Sequence, residues 1–254
     1  MISTSTHGAV RTIVLDRPDR HNALTFAGLA ALAEAIHDAE ADDAIKVIVL
    51  RGAGASFCAG DDLDEIAAAY RHPVAGRPRQ PRVSQRERLA IERRFAAVVD
   101  AVQTSSTPII ARVHGHCVGM GLYLVECADL ALCADGTQFA HTEQRLGNAG
   151  NTPNLPGLIV AAGPKRAREL LLLCETFDGP TAEQLGIVNR SVPEEQLDAL
   201  VEQWVARICR HDRDALATGK AAHNMALAVL GIADYTRFAS VAHALATNLK
   251  RDPT

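Results

Sequence analysis

No apolar stretch in this 254-residue sequence approaches the length needed to cross a bilayer, and its opening, MISTSTHGAVRT, carries no apolar signal region. A cytoplasmic location without a membrane partner is the expectation. Charge of one sign is lacking too: the formal net charge is -4, which leaves no electrostatic footprint for nucleic acid or an anionic lipid surface. Any anion must be bound locally. The six cysteines (Cys58, Cys117, Cys127, Cys133, Cys174 and Cys209) lie mostly inside apolar runs and never form a C-x-x-C pair, so neither a zinc site nor a thioredoxin-like centre is expected. They read as small core residues in a reducing compartment. A fixed-period repeat is also missing, which argues against a solenoid of identical units.

What is present suits a soluble globular chain, with 48% hydrophobic and 22% charged residues. The length allows one full core and a smaller appended subdomain. Short β-branched runs alternate with helical patterns: Thr12 to Leu15, then Leu29, Leu32 and Ile36 at helical spacing, then Lys46 to Leu50. A second cycle places Phe95, Val98, Val99 and Val102 on one helical face before the strand-like Ile109 to Val113 and Asp129 to Leu132. That order predicts an α/β core. Between the cycles, Pro73, Pro78 and Pro81 interrupt any helix, so Tyr70 to Arg88 reads as a loop. Its arginines (71, 77, 79, 82, 86 and 88) read as a solvated face rather than a phosphate site. After Pro193 the pattern turns helical, with Leu197, Leu200, Val201, Trp204, Val205 and Ile208 in one stripe and further stretches over Asp214 to Leu230 and Tyr235 to Leu249. This divides the chain into a core over 1–192 and a helical region over 193–254.

Two glycine-bearing segments can carry chemistry. FCAGDDL, Phe57 to Leu63, follows the Val47 to Leu50 strand, and Gly60 permits a backbone conformation that turns neighbouring NH groups toward a ligand. Alone, it reads as an ordinary strand-to-helix turn with Asp61 or Asp62 as N-cap. In HGHCVGMGLYLVECADL, His114 to Leu130, glycines 115, 119 and 121 precede a short apolar helix. The spacing is not the G-x-G-x-x-G dinucleotide fingerprint. Close helix packing and an anion site at the helix start both remain open for this segment alone.

Taken together, DRPDRHNAL (Asp16 to Leu24), FCAGDDL and HGHCVGMGL resemble three successive signatures of the enoyl-CoA hydratase/isomerase (crotonase) superfamily. TAEQLGIVNRSVP, Thr181 to Pro193, is similar to that family's strand before its terminal helices, so the resemblance runs from about Gly8 to the end. It implies a spiral of ββα units, a C-terminal helical region used in a homotrimer or dimer of trimers, and an acyl-CoA thioester as substrate without a permanently bound cofactor. It further implies that the backbone NH groups of Asp61 and Met120 hold the thioester oxygen, where preorganised donors meet enolate-like charge best. Ala59 and Gly60 would then stand beside CoA, and Arg17 and Arg20 are candidates for its phosphates, with exposed arginines on a turn as the alternative.

The pattern departs from a typical hydratase of the family, which uses two glutamates. Tyr123 occupies the first glutamate's place, and a phenol near its normal pKa is a poor general base. Glu126 does not match that position. The second glutamate's place is matched by Glu143, within QFAHTEQRLGNAG. One carboxylate can take a proton from one carbon and return it to another, which suits double-bond isomerisation better than hydration. His114, His116 and His141 could supply a base, although each reads individually as structural, and the H-x-E of His141 and Glu143 lacks further ligands for a metal. Asn148, Asn151 and Asn154 offer polar groups to a substrate. Isomerisation or hydration of an enoyl-CoA ranks first, before a carbon–carbon hydrolase of β-diketones and a catalytically silent CoA-binding subunit.

Overall fold

The β-branched runs form the sheet that the alternating pattern predicts. The computed structural model describes residues 1–71, 83–145 and 155–231, together with 235, 238, 239, 241 and 244. Strands β1 (Ile2–His7), β2 (Val10–Leu15), β3 (Val47–Gly52), β4 (Ile109–Val113), β6 (Leu130–Ala134) and β8 (Arg190–Val192) make a six-stranded sheet in that order. All neighbours are parallel except β1 and β2. Every residue of β4 is buried, as expected of a strand covered on both faces. A second, two-stranded parallel sheet pairs β5 (His116–Val118) with β7 (Gln138–Ala140). Isolated bridges extend it to Cys58 on one side and Phe177 on the other. Each turn of chain thus adds one strand to the large sheet and one short extended segment to the small one.

Helices α1 (Phe26–Ala41), α3 (Gln85–Thr104) and α4 (Met120–Cys127) cover one face of the sheet, burying Leu29, Leu32, Ile36, Val98, Val102 and Leu124. Complete burial of each such side chain contributes about 1.5–3 kcal/mol before entropy is counted. On the other face, α7 (Glu194–Ile208) sets Leu197 and Val201 against Val47, Val49, Ile110 and Leu132. The remaining helices are α2 (Leu63–Ala69), α5 (Leu155–Leu173, kinked at Gly163 and Pro164), α6 (Gly179–Gln184) and α8 (Arg213–Val229). Of the stretch from Tyr235 to Leu249, only five residues lie among those described.

One expectation is corrected. The loop predicted through Arg88 ends earlier, because Ser84 and Glu87 form a capping box that starts α3 at Gln85. Arg88 is buried against the Tyr70 ring, not on a solvated face. Arg77, Arg79, Arg82 and the three prolines lie outside the described residues.

Candidate active site

One strip of parallel backbone pairing assembles the site. Phe57 and Cys58 donate their NH groups to the His114 and His116 carbonyls at 2.7 and 3.0 Å, and Val118 donates back to the Cys58 carbonyl at 3.0 Å. Cys58 and Cys117 are therefore bridge partners. In a parallel pair, equal steps along both segments stay side by side. Gly60 accordingly meets Gly119, which brings the next residue of each segment, Asp61 and Met120, to the same end of the strip. A Cβ built on Gly119 would lie 3.9 Å from the Gly60 Cα, and one on Gly60 would lie 3.0 Å from the Val118 oxygen and 3.7 Å from the Met120 nitrogen. Both glycines have positive φ, +99° and +52°, where a side chain is strained.

The direction of the two amides follows from their neighbours. Leu24 donates to the Gly60 carbonyl and accepts from the Asp62 NH, each at 2.8 Å. Alternation along an extended segment then turns the Asp61 NH to the side opposite Leu24. Met120 opens α4 with Gly119 as N-cap, and the Tyr123 NH closes the first turn onto the Gly119 carbonyl at 3.0 Å. The Met120 amide is one of the initial donors that no turn of its own helix can use.

Asn22, which sequence reasoning missed, holds the first segment in place. Fully buried, its Nδ2 donates to the carbonyls of Ala53, Ser56 and Phe57 at 2.9, 2.7 and 3.2 Å, and its Oδ1 accepts from the Arg17 NH at 2.9 Å. Its φ is +60°, a conformation asparagine tolerates better than most residues. Ala59 NH donates to the His21 carbonyl at 2.9 Å, tying the same two segments together.

Arg17 reaches Asp62 at 2.6 Å, and Arg20 reaches Asp64 at 2.9 Å. Asp62 also caps α2 through the NH groups of Asp64 and Glu65. The Arg17 hydrogen bond holds the Asp62 carboxyl below the usual carboxylate range, against the opposing effect of burial.

Glu143 stands across the cleft, with its Oε1 3.6 Å from a Cβ built on Gly119. Tyr123 is buried beside it. Desolvation, then the charge of Glu143 and a hydrogen bond with it, push the phenol well above its ordinary value, so it remains protonated. His141 stacks on Tyr123, ring centroids 5.8 Å apart, and its Nε2 lies 3.0 Å from Glu126 Oε1, with both side chains buried. His114 is buried and paired through Nε2 with the Gly54 carbonyl at 2.8 Å. His21 and His116 both reach Ser56 Oγ through Nδ1, at 3.1 and 3.2 Å.

Asp61, Met120, Tyr123 and Glu143 are thus brought together, with Arg17 and Arg20 on the turn behind the first glycine segment. A cavity of about 820 Å³ lies beyond the other end of α4, between α3, α5 and α8, with Glu126 in its wall. No cluster of three or more metal-ligating side chains occurs among the described residues. Asn148, Asn151 and Asn154 lie outside them.

A family model described as enoyl-CoA hydratase/isomerase matches residues 5–247. The chain belongs to the enoyl-CoA hydratase/isomerase family. It is 32% identical over 222 residues to the rat "Enoyl-CoA hydratase domain-containing protein 3, mitochondrial", covering 87% of this chain and 69% of that one. It is 30% identical over 190 residues to the peroxisomal "Delta(3,5)-Delta(2,4)-dienoyl-CoA isomerase" of Arabidopsis thaliana, covering 75% and 68%. Among solved structures, an enoyl-CoA hydratase/isomerase from Xanthobacter autotrophicus Py2 superposes with a TM-score of 0.86 at 28% identity, covering 96% of this chain and 86% of that one. The mixed α/β spiral is that of the crotonase-fold enzymes in this family.

Proposed function

We propose that this family member isomerises the double bond of an enoyl-CoA, with Glu143 as the single acid/base group and the amides of Asp61 and Met120 as donors to the thioester oxygen. The observation that carries this reading is the pairing of one carboxylate, Glu143, with a phenol, Tyr123, held protonated in the place of the family's first glutamate. Hydration needs one group to activate water and another to protonate carbon, whereas a 1,3-proton shift needs only one base that receives a proton and returns it. Hydrogen bonds from two fixed amides stabilise the dienolate formed between those transfers. The neighbouring Tyr123 hydroxyl hydrogen-bonds with the Glu143 carboxyl and orients it. Similarity to a dienoyl-CoA isomerase agrees with this direction.

Arg17 and Arg20 remain our candidates for the CoA phosphates, with Ala59 and Gly60 beside the thioester. We expect a homotrimer or a dimer of trimers, for which the exposed apolar Met225, Leu227, Val229 and Leu230 at the end of α8 offer a surface to bury, and solution mass measurement tests it.

The test is turnover of 3-enoyl-CoA to 2-enoyl-CoA in deuterated water, run beside formation of 3-hydroxyacyl-CoA. Glu143→Gln should lower isomerisation by at least about 100-fold while the thioester still binds. Full turnover in that variant, or 3-hydroxyacyl-CoA as the main product of the native enzyme, would refute the reading.

A further inference from the structure

We propose that the buried Glu126–His141 pair is the positioning element of this site: its imidazole backs the Tyr123 ring, holds the phenol against Glu143, and places a positive charge beside the Glu143 carboxylate. The inference rests on the reading of Glu143 as the base. Neither member of the pair is one of the three side chains or amides assigned to the reaction, yet both are buried next to them. His141 and Glu126 have side-chain exposures of 0% and 3%, and their facing atoms are 3.0 Å apart. Desolvation makes either charge costly alone, so each buried group depends on the other as its partner.

The geometry links the pair to the reaction centre in two ways. Glu126 and Tyr123 lie one turn apart on α4, so they present neighbouring side chains to the same face. His141 sits two residues before Glu143, and its ring stacks on Tyr123 with an interplanar angle of 30°. The imidazole therefore touches the phenol ring from behind while Glu143 engages the hydroxyl.

The charges around the ring agree. Burial would lower the His141 imidazole, but the Glu126 carboxylate, and then that of Glu143, outweigh it and raise it. Among the described residues, the groups facing this cluster are Glu126, Tyr123 and the Cys127 thiol from α4, the Cys117 thiol from β5, Glu143 from the loop that carries His141, and Asp61 from the first glycine turn, whose charge reaches Tyr123. The cation thus stands beside two carboxylates, Glu126 and Glu143. His141 therefore acts through Tyr123 and Glu143, and neither His141 nor Glu126 needs to touch the substrate.

The pH dependence of kcat/KM separates this role from simple support. In His141→Gln the positive charge is removed, so Glu143 should protonate at higher pH and the acid limb should move up by about one unit. Glu126→Gln, a near-isosteric change, leaves the buried imidazole without its counter-charge, so it should lose its proton and move the acid limb the same way. Both variants should show kcat down about 10-fold at neutral pH with KM for the thioester little changed. If His141→Gln does not fold, Glu126→Gln carries the same measurement, and the NMR titration of the His141 ring in the native protein supplies a second. An imidazole titrating above the exposed histidines supports the proposal. An imidazole already neutral at pH 7, or an unmoved acid limb in folded Glu126→Gln, overturns it. Turnover surviving in Glu143→Gln is a different result, because it removes the base itself.

Discussion

Replacing Gly121 by alanine drives a methyl group into the seam between the two glycine turns. A Cβ at this position would lie 2.5 Å from the Cys58 oxygen and 2.8 Å from the Cys58 Cβ. Ordinary van der Waals contact begins near 3.4 Å, so the segments must part by roughly 1 Å, and that oxygen is the one that accepts the Val118 NH. The pairing that sets Gly60 beside Gly119 and the Met120 nitrogen runs through this bond. A displacement of that size at a preorganised donor pair costs about 100-fold in kcat, or about 2.7 kcal/mol of transition-state stabilisation. Overpacking adds a stability cost of about 1–3 kcal/mol. Initial rates on an enoyl-CoA should be measured with the melting temperature of the same sample. Gly219→Ala is the control, because a Cβ there meets nothing within 4 Å in the interior of α8. It should keep full activity and gain about 0.5–1 kcal/mol of stability. A folded Gly121→Ala protein with native turnover would refute the reasoning that this seam sets the donor geometry.

Asn22→Ala should destabilise the fold by about 2–4 kcal/mol in urea denaturation, since three carbonyls, those of Ser56 and Phe57 buried and that of Ala53 part-buried, lose this donor. Lys220→Met should cost about 3 kcal/mol by the same measurement, because the Lys220 Nζ lies 2.7 Å from Asp129 Oδ2 and also donates to the carbonyls of Val102 and Thr107. Arg17→Gln tests pH linkage. The folded Asp62 carboxyl is depressed, so the pair's stabilisation is fully present above the unfolded value near about 3.9 and is lost as pH falls through the folded value. The melting-temperature gap between native protein and variant should stay constant from about pH 5 to 7 and close in more acid solution.

The large sheet was legible in the sequence because its strands are short β-branched runs of nearly unbroken apolarity, as in Val47 to Leu50 and Ile109 to Val113. Helices α1, α3 and α7 were legible through apolar spacing. The start of α3 was not, because nearby prolines outweighed a capping box whose two partners, Ser84 and Glu87, are common surface residues. Gly60 and Gly119 stood out by residue type, and the resemblance gave Asp61, Met120 and Glu143 their expected roles. Asn22 did not stand out, since an asparagine in a turn gives no sign that its amide reaches carbonyls more than thirty residues away. Glu126 failed to match an expected position and was set aside, although folding brings it to His141. Pairings between distant segments depend on tertiary register, which local periodicity does not encode.

The account stands on polarisation of a thioester carbonyl by main-chain donors. The most direct measurement is the isotope-edited infrared spectrum of an enoyl-CoA carrying ¹³C at that carbonyl, free and bound to the native enzyme. The account predicts a band at lower frequency in the complex than in water, returning toward the free position in Gly121→Ala. A bound carbonyl absorbing at or above its frequency in water would contradict it.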